Sequence, residues 1–144
     1  MAAWGRWQKP DIMNRYPHLL QLDAAIWTKY LEREGANMKR VQYDVYCGHP
    51  MVWPEGVEPV KGQAEALGSK RVDAIYEHTL GGFHLAEIKP WGNYVAYGQI
   101  LMYQALIKAE RPEIGPLAMH IVCSQADPDI VKVCQRSGIM IDEM

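Results

Sequence analysis

Two strand-like runs separated by a pair of glycines constrain this 144-residue chain more than any other feature. Residues 70–79 (KRVDAIYEHT) and 83–89 (FHLAEIK) are rich in β-branched and aromatic residues, and Gly81-Gly82 between them signals a hairpin. Both runs carry apolar residues on both faces, which places the hairpin centrally in its sheet. The loop length then decides which side chains meet. A two-residue Gly81-Gly82 turn puts Asp73 and Glu87 on opposite faces. A three-residue loop, Leu80 to Gly82, pairs Asp73 with Lys89 and Ile75 with Glu87, so Asp73, Glu87 and Lys89 share one face; a five-residue loop gives the same pairing. Gly82 suits the left-handed position that such a loop requires, and the odd loop is the expectation.

Around this hairpin the chain reads as alternating helices and strands. Leu19, Leu22, Ile26, Trp27, Tyr30 and Leu31 recur at helical spacing, predicting a helix over 17–34 with Gly35 as its C-cap. Residues 38–46 read as a strand, and 47–62 form the main irregular segment. Asn93 caps a helix over 94–110 that is apolar on almost every side and is therefore expected to pack on more than one side; Pro112 prevents its continuation. A strand over 117–124, a helix opened by Asp127-Pro128 and running to Ser137, and a short strand over 139–141 complete the order α, β, β, β, α, β, α, β. The expected fold class is α/β, a mixed central sheet flanked by helices. Residues 1–16 are read as an N-terminal arm and 17–144 as one domain, the size of the chain being that of a single core.

Composition excludes several classes. With 49% hydrophobic and 22% charged residues the chain is globular rather than disordered. There is no apolar run long enough to span a membrane, and the opening MAAWGRWQKPD is unlike a signal peptide, so a cytoplasmic location is expected. Cys47, Cys123 and Cys134 are too few and too widely spaced for a disulfide framework, a zinc set or an iron-sulfur cluster, and read as reduced core thiols. The net charge of −2 argues against a general polyanion binder, but residues 1–71 sum to +2 and residues 72–144 to −4. Any nucleic-acid footprint therefore draws on the first half, with Lys70 and Arg71 as candidates for phosphate contact and Trp91, together with Trp53, for stacking on bases.

Two carboxylates and an ammonium on neighbouring strands are costly to bury unless paired, each desolvated charge costing several kcal/mol. One solution is an Asp73–Lys89 ion pair with Glu87 solvated. The other is a hard divalent cation held by Asp73, Glu87 and the carbonyl of Ile88, with waters completing an octahedron and Lys89 positioning or activating the attacking water for phosphodiester hydrolysis. Gln99 and Tyr103, one helical turn apart, share a face that can meet the sheet near Lys89. Asp23 lies mid-way along the apolar arc of the first helix, with Glu34 as the alternate. His78 sits opposite His84 in the odd-loop register, a pair with some capacity for a transition metal.

The succession Asp73, Glu87-Ile88-Lys89 and Gln99-Ile100-Leu101-Met102-Tyr103 resembles the PD-(D/E)XK nuclease superfamily, in particular the branch with lambda exonuclease and the RecB nuclease domains. The resemblance covers roughly residues 17–124, with Val72 standing where many members have proline. It implies a restriction-endonuclease-like core and Mg²⁺- or Mn²⁺-dependent cleavage of DNA by an exo- or endonuclease. Asp73 and Glu87 are then metal ligands, joined by Asp23 from the first helix, with Lys89 as general base and Gln99 and Tyr103 supporting the site and approaching the nucleic-acid backbone. The alternative is a non-catalytic protein of the same fold, a DNA-binding or phage head-completion component. The small size of the chain suggests a phage or mobile-element origin, and a homo-oligomer and a phage or host protein partner are further expectations.

Overall fold

The computed structural model describes residues 4–49, 54–56 and 70–144; the expectations for Trp53 and most of the 47–62 segment lie outside them. Five strands form one mixed sheet in sequence order: β1 (Met38–Cys47), β2 (Lys70–His78), β3 (Phe83–Gly92), β4 (Leu117–Ala126) and β5 (Ile139–Glu143). The β1–β2 and β2–β3 pairs are antiparallel, and β3–β4 and β4–β5 are parallel. Helix α1 (Gln21–Glu34) packs on one face through Ile26, Trp27 and Tyr30 against Val41, Tyr43, Tyr76, Ile88 and Val122. Helices α2 (Tyr94–Glu110) and α3 (Pro128–Ser137) cover the other face, where Ile100, Tyr103, Ile107, Ile130 and Cys134 meet Ile75, Leu85, Ile121 and Cys123. This is the α/β class expected, with a parallel half that needs helical crossovers and an antiparallel half built on a hairpin.

Local sequence explains most boundaries. The Asn93 side chain accepts from the backbone N–H groups of Val95 and Ala96, satisfying two orphan donors at the start of α2. Asp127 does the same for Asp129, Pro128 occupies the first turn, and Gly138 closes α3 in the left-handed conformation at φ 71. Four expectations are corrected. Helix α1 begins at Gln21 rather than Pro17, because His18 sits at φ 60 in a turn that precedes it. Gly35 is right-handed at φ −58 and leads into a 3₁₀ turn instead of capping the helix. Leu22, in the apolar arc of the predicted helix, is 69% exposed. Helix α2 buries one stripe only, leaving Tyr94, Val95 and Met102 exposed, since the sheet and α3 contact just one side of it.

The hairpin loop is odd, but it is Thr79-Leu80-Gly81 rather than Leu80 to Gly82. The N–H of His78 donates to the Gly82 carbonyl at 2.9 Å and that of Gly81 to the His78 carbonyl at 2.9 Å. Gly81 and Gly82, at φ 96 and 90, supply the left-handed conformations. The ladder pairs Ala74 with Ala86 and Tyr76 with His84, so the register is offset by two from the expected one while its parity is preserved. Asp73 therefore lies across from Glu87 rather than Lys89, and His84 faces Tyr76 rather than His78.

Replacing Asn93 with Ala should lower the unfolding free energy by about 1 kcal/mol, read as a lower denaturant midpoint at unchanged m.

Candidate functional site

The chemistry of the sheet concentrates where its strands part. No β2–β3 pairing extends past Ala74–Ala86 towards Lys70, although β3 continues beside β4 as far as Gly92. At the parting point a side chain replaces the ladder: Oδ2 of Asp73 accepts the N–H of Ile88 at 2.8 Å, and Oε1 of Glu87 accepts the N–H of Asp73 at 3.4 Å. The divergence also explains Pro90, whose missing N–H lies in the stretch of β3 that β2 no longer flanks.

On the other side of β2, the β1–β2 register sets Asp44 opposite Asp73, between the pairs Tyr43–Ala74 and Val45–Val72. Asp44 is left-handed at φ 55, so the pleat reverses there. Tyr43 and Ala74 pack in the α1-side core, whereas Val45 and Val72 pack in the α2-side core. His18 and Asp44, the two non-glycine residues with positive φ among those described, touch each other at 2.7 Å. Arg71 joins them, donating to Nδ1 of His18 at 2.8 Å and lying 3.4 Å from Asp44. Neither Asp44 nor His18 stands out in the sequence; an Asp in the middle of an alternating strand is the one local signal.

The electrostatics of the pair are those of anions held away from water. Glu87 is 2% exposed, and burial first, then the charge of Asp73, raises its carboxyl well above the usual range. Asp73 is pushed up to about 6, again by burial first, opposed by the Ile88 N–H and by Lys89. Lys89 is half-buried and makes no ion pair with Asp73, so the simple salt-bridge alternative is not what the fold adopts. It acts on all three acids at longer range, lowering Asp23 and Glu87 as well. Asp23, half-buried on α1 and raised by its own desolvation, contributes a field that raises both Asp73 and Glu87. Among the described residues no three His, Cys, Asp or Glu side chains converge as a metal cage.

The donors still suit one kind of ion. Among the described residues Oδ1 of Asp73 and Oε2 of Glu87 have no hydrogen-bond donor, and with the Ile88 carbonyl they form a hard oxygen set. Mg²⁺ is typically bound in this way, through one or two carboxylates with water filling the remaining positions. The helix expected to face the site does so in part. Tyr103 is buried, lies against the Arg71 backbone amide, and is pushed up to about 12 by burial and then by the Glu87 charge. Oε1 of Gln99, one turn earlier, is buried without a hydrogen-bond partner among the described residues. Lys70 donates to the His49 carbonyl at 2.9 Å, and Arg71 also packs over Tyr46 at 5.7 Å. Trp91, beyond the expected end of the strand at residue 89, lies within β3, paired with Gln125, and is 45% exposed.

No protein-family model matches the chain, and no curated protein matches it in sequence. Two solved structures are similar. EndoMS, solved in complex with double-stranded DNA, superposes with TM-score 0.51 at 11% identity over 92% of this chain. The shared feature is the fold. A repair endonuclease from Pyrococcus abyssi gives TM-score 0.45 at 18% identity over 70% of this chain. The chain spans 48% and 39% of the lengths of these two proteins.

Asp73 and Glu87 hold protons more tightly folded than unfolded, so without metal their contribution to stability is full below about pH 4 and is lost as pH rises through about 6 and beyond. Glu87→Gln removes one of the two titrations. As pH rises from about 4 to about 8 it should gain stability relative to the unsubstituted chain in chelator-treated buffer, measured by urea unfolding at each pH. Parallel pH curves for the two proteins would show that Glu87 is solvated after all.

Proposed function

We propose that this chain is a metal-dependent nuclease that hydrolyses phosphodiester bonds of DNA. One observation carries the reading: two carboxylates from adjacent strands, Glu87 fully buried and Asp73 mostly so, face each other where the sheet opens, with a lysine two residues on that forms no ion pair among the described residues. A fold that gained nothing from this set would lose several kcal/mol by desolvating it, whereas a divalent cation offsets that cost. The similarity to EndoMS, which was solved on double-stranded DNA, agrees with the reading.

In this reading Asp73, Glu87 and the Ile88 carbonyl hold Mg²⁺ or Mn²⁺, with Asp23 deepening the negative potential. The bound ion supplies Lewis-acid stabilisation of charge on the phosphate. Lys89, close enough to bias all three acids, orients the attacking water and takes part in its deprotonation. Tyr103 fixes the β2 backbone at Arg71, two residues from Asp73, and Gln99 presents an acceptor from the same face of α2. Lys70 and Arg71 contact backbone phosphates, and the exposed ring of Trp91, two residues beyond Lys89, stacks on a base. The two cationic contacts make binding weaken as salt rises.

Linear, circular and single-stranded DNA incubated with the chain and Mg²⁺ or Mn²⁺ should be shortened on a denaturing gel, the circular substrate separating internal cutting from cutting at ends. Asp73→Ala, Glu87→Ala and Lys89→Ala should each lower the rate by about 10²-fold or more while circular dichroism reports an intact fold. Absence of metal-dependent cleavage on every substrate overturns the nuclease and leaves the non-catalytic DNA-binding component.

A further inference from the structure

On the α1-side face of the sheet, towards the hairpin tip, a second polar system has no part in this chemistry. Asp142 on β5 is fixed by Arg33 at 2.7 Å, and its other oxygen lies 2.9 Å from Nδ1 of His120 on β4. Nε2 of His120 is 2.8 Å from Nδ1 of His84 on β3. Protons can be assigned along this chain. Arg33 and His120 hold the Asp142 carboxyl below its usual range, so it is an ionised acceptor and His120 must donate from Nδ1. In the His120 tautomer that carries its single proton on Nδ1, Nε2 accepts, and His84 donates from its own Nδ1. That tautomer places the lone pair of His84 on Nε2, which among the described residues has no hydrogen-bond partner and is not one of the buried unpartnered atoms.

The ring is also held in place. It stacks on Tyr76 with centroids 4.8 Å apart and planes 9° apart, while the Tyr76 and Tyr30 hydroxyls, 2.8 Å from each other, flank His120 at 3.5 Å. Burial and the neighbouring imidazoles push His84 down to about 4, which keeps it uncharged at neutral pH. His78 stands beside it with ring centroids 5.6 Å apart; its Nδ1 accepts the Leu80 N–H at 3.1 Å, so its own proton is on Nε2. That assignment argues against a shared metal, because only one of the two Nε2 atoms has a free lone pair, and it makes His78 a hydrogen-bond donor next to a nucleophile.

We propose that His84 is a phosphoryl-accepting histidine, its Nε2 attacking a small acyl phosphate with His120 and Asp142 as its proton relay and His78 as a donor to the phosphoryl oxygens. An Nε2–P bond forms as the P–O bond to the acyl group breaks, and the carboxylate leaves with that electron pair. The positive charge on the His84 ring is discharged when its Nδ1 proton passes to Nε2 of His120, whose imidazolium is neutralised by Asp142. Nothing is oxidised or reduced. The arrangement matches the general pattern of a nucleophile activated by a base that a third group orients.

The test is incubation of the whole chain with acetyl phosphate in chelator-treated buffer, followed by peptide mapping at neutral pH for an acid-labile, alkali-stable phosphoryl group. His84 should be labelled ahead of the exposed His18 and His49, and Asp142→Asn should slow labelling about tenfold or more. Labelling of His18 or His49 at the same rate, or an unaltered rate in Asp142→Asn, overturns the proposal. Because that variant removes a tie between β5 and α1, the unsubstituted chain gives a second reading: ¹⁵N–¹H NMR should show His84 protonated at Nδ1, and protonation at Nε2 would equally overturn it.

Discussion

A closed antiparallel ladder cannot keep two facing, ionised carboxylates in its middle. At Asp73 and Glu87 the fold meets that constraint by opening the ladder. The Asp73 carboxylate takes the Ile88 N–H that a strand carbonyl would otherwise take, β2 and β3 diverge, and the backbone satisfies itself through a side chain at the parting point. Several other features follow. Pro90 becomes tolerable in β3, the sheet remains intact on its parallel side, and Lys89 is carried past the opening with its ammonium uncommitted to either acid. The burial that raises both carboxyls is the same burial that would make a divalent cation bind in low dielectric, where its attraction to them is largest.

Much of this was legible in the sequence because its causes are local. The caps at Asn93 and Asp127, the start of α2 and the span of α3 all depend on residues within a few positions, and the structure places them as expected. The odd parity of the hairpin was also readable, since only that parity sets Asp73 and Glu87 on one face. The exact register was not. Loops of the same length starting at Thr79 or at Leu80 each place a glycine at a left-handed position, and the choice between them is made by what the strands meet outside the hairpin: Phe83 packs with Trp4 and Trp7, and Glu77 pairs with Arg40 on β1.

What stayed hidden is non-local. The left-handed backbone of Asp44 is stabilised by His18, a residue far away in the chain, and His84 acquires its orientation from His120 and Asp142, which arrive by two parallel crossovers. Leu22 and the outer side of α2 were misjudged for a related reason. Helical periodicity reports which residues are apolar, and in a chain with 49% hydrophobic residues more apolar faces exist than the sheet can cover.

The strain at His18 and Asp44 bears on how the site is held. Non-glycine residues in the left-handed region cost of order 1 kcal/mol each and persist when their surroundings over-determine them. Here each is held by the other at 2.7 Å, and Arg71 closes the group from β2. The contact lies where β1 changes sides, Tyr43 packing in the α1-side core and Val45 in the α2-side core, and where Ala74 and Val72 on β2 do the same. Asp73 lies between those two residues. The distortion of β1 and the parting of β2 from β3 are therefore two sides of one deformation, with Asp73 at its centre, and the arginine that seals the strained pair sits two residues away on the strand that carries the buried acid.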